Sequence, residues 1–303
     1  MKKPLIGGIE AGGTKFICAV GDGKKSIKAM AQFPTLQPET TLPQVVNFFR
    51  DQEQKMGLLA GISIASFGPL VVDPKSEHYG MILPTPKPGW SGTDFISPLK
   101  ESFDIPVWID TDVNIAAYGE WRWGAAENVD NLVYLTVGTG IGGGAIINGQ
   151  IVRGLTHPEM GHMHIPQDLQ LDPFEGVCIF HKNCLEGLAC GFAIEKRWGK
   201  RAETLPSSHP AWQLEAHYLA LALVNIICML SPRLILLGGG VMSQKHLFAM
   251  IHTEVVSTLK QYIQSPFLSD QIDRYIMPPG LGTMSGILGA IAYGLDQISA
   301  HPV

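Results

Sequence analysis

The feature that most constrains the fold is a repeated pattern of apolar run, glycine turn and second apolar run. It occurs first at residues 5–20, around Gly12 and Gly13, and again at residues 132–147, around the glycine run 138–144. A pattern that recurs within one chain indicates an internal duplication. The sequence therefore predicts two similar halves, each opening with a β-hairpin whose glycines let the backbone approach a ligand closely.

The first glycine turn ends in Thr14 and Lys15, which add a hydroxyl and a cation to the glycines before them. This composition suits a phosphate-binding hairpin, although Gly-Gly hairpins are also common as plain tight turns. The turn is not a P-loop, because the Gly-Lys-Thr order and the following helix are missing. A third glycine turn, at residues 238–242, follows an apolar strand predicted over 234–237. If the two halves face each other, their turns can hold a phosphate chain from both sides.

Four polar side chains follow a short apolar strand predicted over residues 105–109. They are Asp110, Thr111, Asp112 and Asn114, and a helix is predicted after them from 115 to 123. A carboxylate at such a junction often does no more than cap the helix. Four polar groups exceed what a cap requires, so the sequence favours a ligand site at this end of the sheet.

Two further segments are predicted to be loops. A strand over residues 61–65 ends at Ser-Phe-Gly-Pro-Leu (66–70), which presents a rigid loop at a sheet end, where open α/β sheets bind ligands. The segment 84–90 contains three prolines and must be extended, so we expect a loop or lid there and no helix.

A metal-binding pattern lies in the middle of the chain. Cys178, His181 and Cys184 follow one another at intervals of three residues, so a tight loop can bring two thiolates and an imidazole onto one ion. A fourth ligand from His162 would complete a closed, tetrahedral Cys2His2 zinc site of the structural kind. His157 and His164 remain alternatives for the fourth ligand, and the alternative for the whole segment is a surface loop with incidental histidines and cysteines.

Two acids flank the metal pattern. Glu159 lies three residues before His162, and Glu186 lies two residues after Cys184. The same loop therefore carries carboxylates that can bind a polar ligand, which extends the expected role of the segment beyond holding a metal.

Composition restricts the class of protein. A chain of 303 residues, 46% hydrophobic and 16% charged, is typical of a soluble protein with a large core in one or two domains. A net charge of -5 and the lack of a Lys/Arg cluster argue against a nucleic-acid surface. The first residues lack the apolar stretch of a signal peptide. The most apolar segment, 218–230, contains Asn225 and predicts a buried helix, so no membrane partner is expected.

The five cysteines form no disulfide framework. Two belong to the metal pattern, and Cys18, Cys190 and Cys228 are predicted to be buried free thiols. This usage favours the reducing cytoplasm as the location.

Taken together, these motifs resemble the ROK family of sugar kinases. The matching segments are Gly-Gly-Thr-Lys (12–15), Asp-Val-Asn (112–114) with Gly119 and Glu120, Val-Gly-Thr-Gly-Ile-Gly (137–142), Glu-Met-Gly-His (159–162), the Cys/His cluster and Gly-Gly-Gly-Val (238–241). They occur in the family's order and span most of the chain. Within the family, segments 10–15, 85–90 and 110–114 are most similar to the bacterial zinc-containing fructokinases.

The resemblance implies an α/β fold of two ribonuclease H-like domains of the actin/hexokinase type, with an active-site cleft between them for ATP and sugar. The implied first domain covers residues 1–115 plus about 285–303, and the second covers 116–284 with a zinc loop at 157–190. The implied assembly is a homodimer.

The resemblance also implies roles for individual residues. Asp112 is the implied general base, which takes the proton of the attacked hydroxyl. The implied sugar-binding residues are Gly68, Thr111, Asn114, Glu159, His162 and Glu186. The implied nucleotide-binding residues, with Glu10 on the magnesium side, are Glu10, Gly12, Gly13, Thr14, Lys15, Thr136, Gly138, Thr139, Gly140, Gly191, Gly238, Gly239, Gly240 and Val241. The zinc ligands are His162, Cys178, His181 and Cys184.

The implied reaction is ATP-dependent phosphorylation of a hexose, D-fructose to fructose 6-phosphate, with Mg2+ at the phosphates and a structural Zn2+. The alternatives are a mannokinase or broad hexokinase, and a non-catalytic sugar-binding regulator. Three positions depart from the wider family's pattern: Glu10 replaces a shorter acid, His181 replaces a third cysteine, and Thr111 replaces the asparagine of the glucokinase branch. Because Glu10 stands so near the first residue, we expect no helix-turn-helix before it.

Overall fold

Ten strands and nine α-helices are formed by residues 3–24 and 26–300, which the computed structural model describes. The chain begins with β1 (Ile6–Ala11), β2 (Lys15–Gly21), β3 (Ile27–Pro34), α1 (Pro38–Met56), β4 (Gly61–Ser66), α2 (Ser97–Phe103), β5 (Val107–Thr111) and α3 (Asp112–Trp123). It continues with β6 (Leu132–Val137), β7 (Ile141–Ile147), β8 (Gln150–Ile151), α4 (Leu185–Ala189), α5 (Gly191–Trp198) and α6 (Ala211–Leu230). It ends with β9 (Leu234–Gly238), α7 (His246–Leu259), α8 (Ile272–Tyr275), β10 (Ile276–Met277) and α9 (Ser285–Ala300).

The two five-stranded sheets share one strand order. The first is β3-β2-β1-β4-β5 and the second is β10-β9-β6-β7-β8, so each opening strand lies in the middle of its sheet. In both sheets that strand pairs antiparallel with the next strand and parallel with a later one, β4 or β9. This shared topology confirms the predicted duplication and the predicted α/β class with two similar halves.

The chain divides into two compact units. One unit consists of Met1–Glu127, Ile151–His157 and Met284–Val303, and the other of Asn128–Gln150 and Pro158–Thr283. Residues 1, 2, 25 and 301–303 of the predicted first domain lie outside the described residues. The domain boundaries given above at 115 and about 285 stay predictions.

In the first unit, helices α3 and α9 pack so closely that their backbones are in contact. A Cβ on Gly119 of α3 would lie 2.6 Å from the carbonyl oxygen of Ser285, and one on Gly289 of α9 would lie 2.0 Å from that of Ile115. Only glycine permits this approach. The pair covers one face of the sheet, where Ile287 and Ile291 pack on Ile6. This packing fixes the amino end of each helix at the end of the sheet where β1 and β5 stop.

In the second unit, α6 is the central helix. By length and composition this helix is apolar enough to cross a membrane, yet half of its most apolar window is buried inside the protein, as in the core helix of a soluble protein. Leu219, Leu223 and Ile226 are all at most 2% exposed. Burying each such side chain contributes about 1.5–3 kcal/mol to folding. The predicted buried helix is therefore confirmed and begins earlier than expected, at Ala211.

A buried ionic network holds the loop before Cys178 against α5 and α6. Arg197 of α5 donates two hydrogen bonds to Asp172, each 3.1 Å, and its guanidinium lies 4.3 Å from the centre of the Phe174 ring. Tyr218 of α6 donates a 2.5 Å hydrogen bond to the same carboxylate. The ion pair is almost fully buried and both of its charges are hydrogen-bonded, so it fixes the position of this loop.

Glu215 lies fully buried on the same helix, and we expect its charge to lower stability at high pH. Burial raises its pKa well above 4.5, and the charge of Arg197 only partly opposes this. A group whose folded-state pKa is raised contributes stability at low pH that is lost as pH rises towards that pKa. Glu215→Gln cannot ionise, so it should become more stable relative to the parent as pH rises. The difference between the two free energies of unfolding should grow by up to about 1.4 kcal/mol per pH unit.

Urea unfolding of both proteins between about pH 5 and about pH 8 checks this expectation. Glu195→Gln, at an exposed position of α5, is the matched control and should show no such trend. A difference between Glu215→Gln and the parent that stays constant across this pH range would contradict the expectation.

Three local expectations were wrong. The glycine run 138–144 is not all turn, because β7 begins at Ile141 and pairs with β6 through Gly142–Gly144. The strand predicted at 105–109 lies at Val107–Thr111, which leaves Asp112 as the first residue of α3. Cys228 is exposed on α6 and not buried, whereas Cys18 and Cys190 are buried as expected, and all five cysteines are free.

Candidate functional site

The β1–β2 hairpin forms a tight turn that is fastened to the end of β3. The backbone N–H of Gly12 donates to the carbonyl oxygen of Lys15 at 2.9 Å. Thr35 holds both sides of the turn: its hydroxyl donates to Gly12 at 2.7 Å and its N–H donates to Thr14 at 2.9 Å. The hairpin is therefore a preformed element. No protein atom lies within 4 Å of where a side chain on Gly13, at its tip, would begin.

Two hairpin glycines have no structural need to be glycine. A Cβ on Gly13 or on Gly138 would meet no atom of the protein within 4 Å, and neither residue has a positive φ. Glycine at such positions leaves room for something outside the chain to approach the backbone. Each of the two corresponding turns of the duplicated fold thus has an open backbone surface of its own.

Glu10 lies at the end of β1 against the amino end of α9. A Cβ on Gly286 of α9 would lie 2.6 Å from the Cδ of Glu10, so a glycine at this position makes room for the Glu10 carboxylate. Burial raises the pKa of Glu10, while the charge of Lys15 and a hydrogen bond from the Ile287 N–H oppose the shift. Its Oε2 is buried and has no hydrogen-bond partner among the described residues. A buried carboxylate oxygen without a partner suits a hard cation such as Mg2+.

Asp110 is fully buried and all of its bonding capacity is used inside the first unit. One carboxylate oxygen accepts hydrogen bonds from the N–H of Thr111 (2.7 Å) and the side-chain amide of Asn114 (2.8 Å). The other oxygen is paired with the guanidinium of Arg153, whose Nε lies 2.8 Å away. Asp110 therefore orients the groups that follow it. Sequence reasoning missed Arg153, which no motif marked and which reaches Asp110 from 43 positions away.

Asp112 is the first residue of α3 and is only partly buried. Its Oδ1 accepts the N–H of Val113 at 2.9 Å, which sets the direction of the side chain at the helix amino end. Helix dipoles favour negative charge at that position. Asp112 thus combines a fixed direction with solvent access, whereas Asp110 is fully buried and both of its oxygens are already paired.

The side chains of Thr111 and Asn114 are less accessible to a ligand than the sequence suggested. Thr111 caps α3, because its hydroxyl accepts the N–H of Asn114 at 3.2 Å, and only 3% of the residue is exposed. Asn114 is fully buried, but its Oδ1 has no hydrogen-bond partner among the described residues. The cap and the polar cluster, which the sequence posed as alternatives, therefore coexist.

Gly68 lies in the loop after β4, where the ring of His157 stands over it. A Cβ on Gly68 would be 3.5 Å from His157 Cε1, and Nε2 of that histidine accepts the N–H of Leu70 at 3.2 Å. His157 thus belongs to this loop, in the first unit, and is excluded as the fourth ligand of the metal pattern in the second.

The hairpin of the second unit is tied to the amino end of α5 and to α4. Gly138 accepts a hydrogen bond from the N–H of Gly191 (2.7 Å), and Glu186 accepts one from the N–H of Ile141 (3.0 Å). A Cβ on Gly191 would lie 2.8 Å from the Gly138 carbonyl, and one on Gly140 would lie 2.6 Å from the Glu186 carboxylate. Glycine is therefore required at position 191 by the neighbouring backbone, whereas at position 140 it leaves room for the end of the Glu186 side chain. Thr139, at the tip, is exposed.

The third glycine turn lies beside this hairpin. Gly238 pairs with Thr136 across β9 and β6, and a Cβ on Gly239 (φ +94°) would lie 2.4 Å from the carbonyl of Val137. Val241 is buried, whereas a Cβ on Gly240 would meet nothing within 4 Å. The second-unit residues predicted to bind nucleotide are thus brought to one end of one sheet.

The metal pattern forms a compact cluster of four side chains. The ligand atoms of His162, Cys178, His181 and Cys184 all lie within 4.8 Å of one another. The sulfur of Cys178 lies 3.7 Å from Nδ1 of each histidine, and that of Cys184 lies 3.5 Å from Nδ1 of His162. Tetrahedral bonds of about 2.3 Å to sulfur and about 2.05 Å to nitrogen would set these atoms about 3.6 Å apart. The cluster has the donor set and the spacing of a zinc site.

The knuckle that carries three of these ligands is built by backbone geometry. Lys182 has a positive φ of 59°, and the N–H of His181 points at the Cys178 sulfur at 3.5 Å. A Cβ on Gly187 would lie 1.7 Å from the carbonyl of Lys182. Burial raises the pKa of Cys184 to about 11, and Cys178 beside it adds to the shift. A bound divalent cation reverses this, because a coordinating thiol is deprotonated.

The metal cluster is connected to the hairpin of the same unit. His162 ends a 3₁₀ turn that follows Glu159, and a Cβ on Gly161 would lie 1.9 Å from the carbonyl of Ile141. That residue is also the one whose N–H binds Glu186. The turn that carries His162, the Glu186 carboxylate and the glycine hairpin therefore meet around Ile141, the first residue of β7. Since His162 faces the sulfurs through Nδ1, its Nε2 lies on the far side of the ring.

Comparison with known proteins gives a consistent result. The family model described as the ROK family matches residues 6–296. A fructokinase of Pediococcus pentosaceus is 43% identical over 287 residues, which cover 95% of this chain and 96% of that one. A fructokinase of Zymomonas mobilis is 42% identical over 299 residues, covering 97% of each. The crystal structure of a ROK hexokinase from Thermus thermophilus matches with a TM-score of 0.79 at 25% identity, over 97% of this chain and 99% of that one.

Proposed function

Because this chain belongs to the ROK family, we propose that it is a fructokinase that transfers the terminal phosphoryl group of ATP to D-fructose and forms fructose 6-phosphate. The observation that carries the proposal is the similarity to fructokinases over nearly the whole length of both chains. The actin/hexokinase type of two-domain fold, which the ROK hexokinase shares, supplies the framework.

Asp112 is the proposed general base. In phosphoryl transfer the protein mainly positions the reactants and stabilises charge, while a carboxylate receives the proton of the attacking hydroxyl. The fructose oxygen then forms the new bond to phosphorus, the bond from phosphorus to the ADP oxygen breaks, and the proton resides on Asp112. The direction imposed by the Val113 N–H and the neighbouring, fully paired Asp110 support this assignment.

The two open hairpins and the third glycine turn are the proposed nucleotide-binding elements. The groups assigned on the first unit are Glu10, Gly12, Gly13, Thr14 and Lys15, and those on the second are Thr136, Gly138, Thr139, Gly140, Gly191, Gly238, Gly239, Gly240 and Val241. The space in front of Gly13 and Gly138 supports the assignment. Mg2+ bound near Glu10 would neutralise phosphate charge, and the partnerless Oε2 supports its presence there.

The residues proposed to contact the sugar are Gly68, Thr111, Asn114, Glu159, His162 and Glu186. The unpartnered Asn114 Oδ1 supports a ligand nearby. Zn2+ held by His162, Cys178, His181 and Cys184 would be structural, since four protein ligands leave no open position. By holding the His162 ring rigid, the site would present Nε2–H as a donor to a sugar hydroxyl.

A coupled kinase assay across fructose, mannose, glucose and N-acetylmannosamine tests the reaction. We expect the highest kcat/KM with fructose. Comparable values for mannose or for all four sugars would replace the proposal by a mannokinase or broad hexokinase. No turnover of any hexose by folded protein would overturn the kinase assignment and favour a non-catalytic sugar-binding regulator.

Gly13→Val and Gly138→Val should weaken ATP binding by about tenfold or more, because the new side chain occupies the space a phosphate oxygen needs. Affinity for fructose should change less. Calorimetric titration with an ATP analogue measures both. Gly154→Val is the matched control, since a Cβ there also meets nothing within 4 Å. Unchanged nucleotide affinity in the folded hairpin variants would contradict the assignment.

We further propose a homodimer in the reducing cytoplasm. Free cysteines support the compartment. The apolar side chains of Leu169, Leu171, Ile179 and Phe180, exposed on and before the metal knuckle, support a partner surface. Sedimentation equilibrium of the zinc-loaded protein tests the assembly, and a monomer mass at all concentrations would contradict it.

A further inference from the structure

Lys87 reaches the tip of the β1–β2 hairpin from a distant part of the chain. Its ammonium group donates a hydrogen bond to the carbonyl oxygen of Gly13, 74 positions earlier. Gly13 is the residue in front of which the protein leaves open space. A cation therefore stands at the edge of that space, and none of the roles assigned above uses it.

The segment that carries Lys87 is a built element and not a loose loop. The hydroxyl of Ser91 closes it by accepting the N–H of Thr85 (3.1 Å) and donating to the carbonyl of Thr85 (3.3 Å). Three prolines within residues 84–90 restrict its backbone further. Lys87 is therefore presented by a restrained backbone, and ordering the segment costs little when a ligand binds.

Trp90 anchors this segment beneath the hairpin. Its ring is fully buried, lies 5.3 Å from that of Phe16 on β2, and its indole N–H donates to Leu36 at 2.8 Å. Phe16 directly follows Lys15, the first residue of β2 after the turn. The aromatic contact thus couples the position of Lys87 to the position of the hairpin itself.

The charge of Lys87 is available to a ligand. A lysine ammonium has three donors, of which the Gly13 carbonyl takes one. Within residues 3–24 and 26–300, no carboxylate lies within 4.0 Å of its nitrogen. The side chain is half-buried, so it keeps access to solvent and to a ligand. A cation without an acidic partner beside an open glycine backbone is suited to an anion with several oxygens.

We propose that Lys87 is a phosphate-binding residue whose ammonium contacts an oxygen of a phosphate group seated over Gly13. The proposal rests on the proposed function, in which the β1–β2 hairpin holds phosphate. Two sources share this chemistry: the terminal phosphate of the nucleotide and the phosphate ester of the sugar product. In either case Lys87 stabilises charge and leaves proton transfer to Asp112.

The test uses Lys87→Met and Lys87→Arg, with Lys75→Met as the matched control at an exposed loop position of the same unit. Losing one charge-assisted contact should weaken phosphate binding about 10- to 100-fold in Lys87→Met. Lys87→Arg should recover most of this loss, and Lys75→Met should match the parent. Calorimetry compares ADP, a non-hydrolysable ATP analogue, fructose 6-phosphate and fructose in each folded variant.

The pattern of losses identifies the source. A loss with the ATP analogue and little change with ADP assigns Lys87 to the terminal phosphate of the nucleotide. A loss with fructose 6-phosphate and none with fructose assigns it to the product ester. Unchanged affinity for all phosphates, or a loss confined to fructose, would overturn the proposal and leave Lys87 as a tether or a sugar contact. Failure of the parent protein to phosphorylate any hexose is a different result and bears on the proposed function alone.

Discussion

Asp112→Asn should lower kcat by at least about 100-fold while fructose affinity stays close to that of the parent. The amide keeps the shape of the side chain and can still accept the Val113 N–H, so α3 should begin as before. What it cannot do is receive the proton of the attacking hydroxyl. Steady-state kinetics together with calorimetric fructose binding measure the two quantities separately.

Asp110→Asn is the informative comparison, because it neutralises the neighbouring carboxylate, which is fully buried and paired with Arg153, whereas Asp112 is partly exposed. Removing its charge leaves the Arg153 guanidinium with the Tyr293 hydroxyl but without its carboxylate partner. We therefore expect a lower unfolding temperature and reduced activity together. For Asp112→Asn the unfolding temperature should stay near that of the parent. Near-normal turnover in purified Asp112→Asn would remove it as the base.

The roles of the two aspartates show what the sequence can and cannot predict. The density of polar residues at 110–114 marked a site, because four such groups exceed the needs of a cap. It did not reveal that Asp110 pairs with Arg153, because pairing between residues 43 positions apart leaves no local pattern. The cap formed by Thr111 was equally hidden, because the strand extends two residues further than its apolar run.

The glycines divide in a similar way. Repetition of the hairpin predicted the duplicated topology, since the period of the pattern is independent of tertiary contacts. The reason for each glycine was not predictable. Gly13 and Gly138 face open space, whereas Gly191 and Gly239 are required by the carbonyls of Gly138 and Val137. The resemblance to the ROK family assigned all four to nucleotide binding.

The clustering of the four side chains proposed to bind zinc was predictable where the spacing is local. Cys178, His181 and Cys184 follow from the knuckle itself, but the fourth ligand depends on where the chain before it packs. The 3₁₀ turn seated on β7 brings His162 to the sulfurs, while His157 is held by Leu70 in the other unit. The ring of His164 lies 5.5 Å from that of His181 but is not one of the four clustered groups.

The zinc site should contain one ion per chain, and His162→Ala or His181→Ala should lose both the ion and most activity. Structural zinc sites contribute about 10–16 kcal/mol of binding free energy to the ordering of their segment, so removing a ligand affects the whole loop. Elemental analysis and kinetics of the purified variants measure the two effects. His164→Ala, at the neighbouring histidine outside the cluster, should keep both zinc and activity.

His162→Cys separates a ligand that only holds the loop from one that also binds sugar. A thiolate can take the place of Nδ1 on the ion, but it offers no N–H on its far side. If the Nε2–H of His162 donates to fructose, this variant should keep full zinc occupancy. Losing that hydrogen bond costs about 0.5–1.5 kcal/mol, so KM for fructose should rise about 2- to 12-fold. The same zinc content with an unchanged KM would mean that the metal holds the loop alone and that His162 does not touch the substrate.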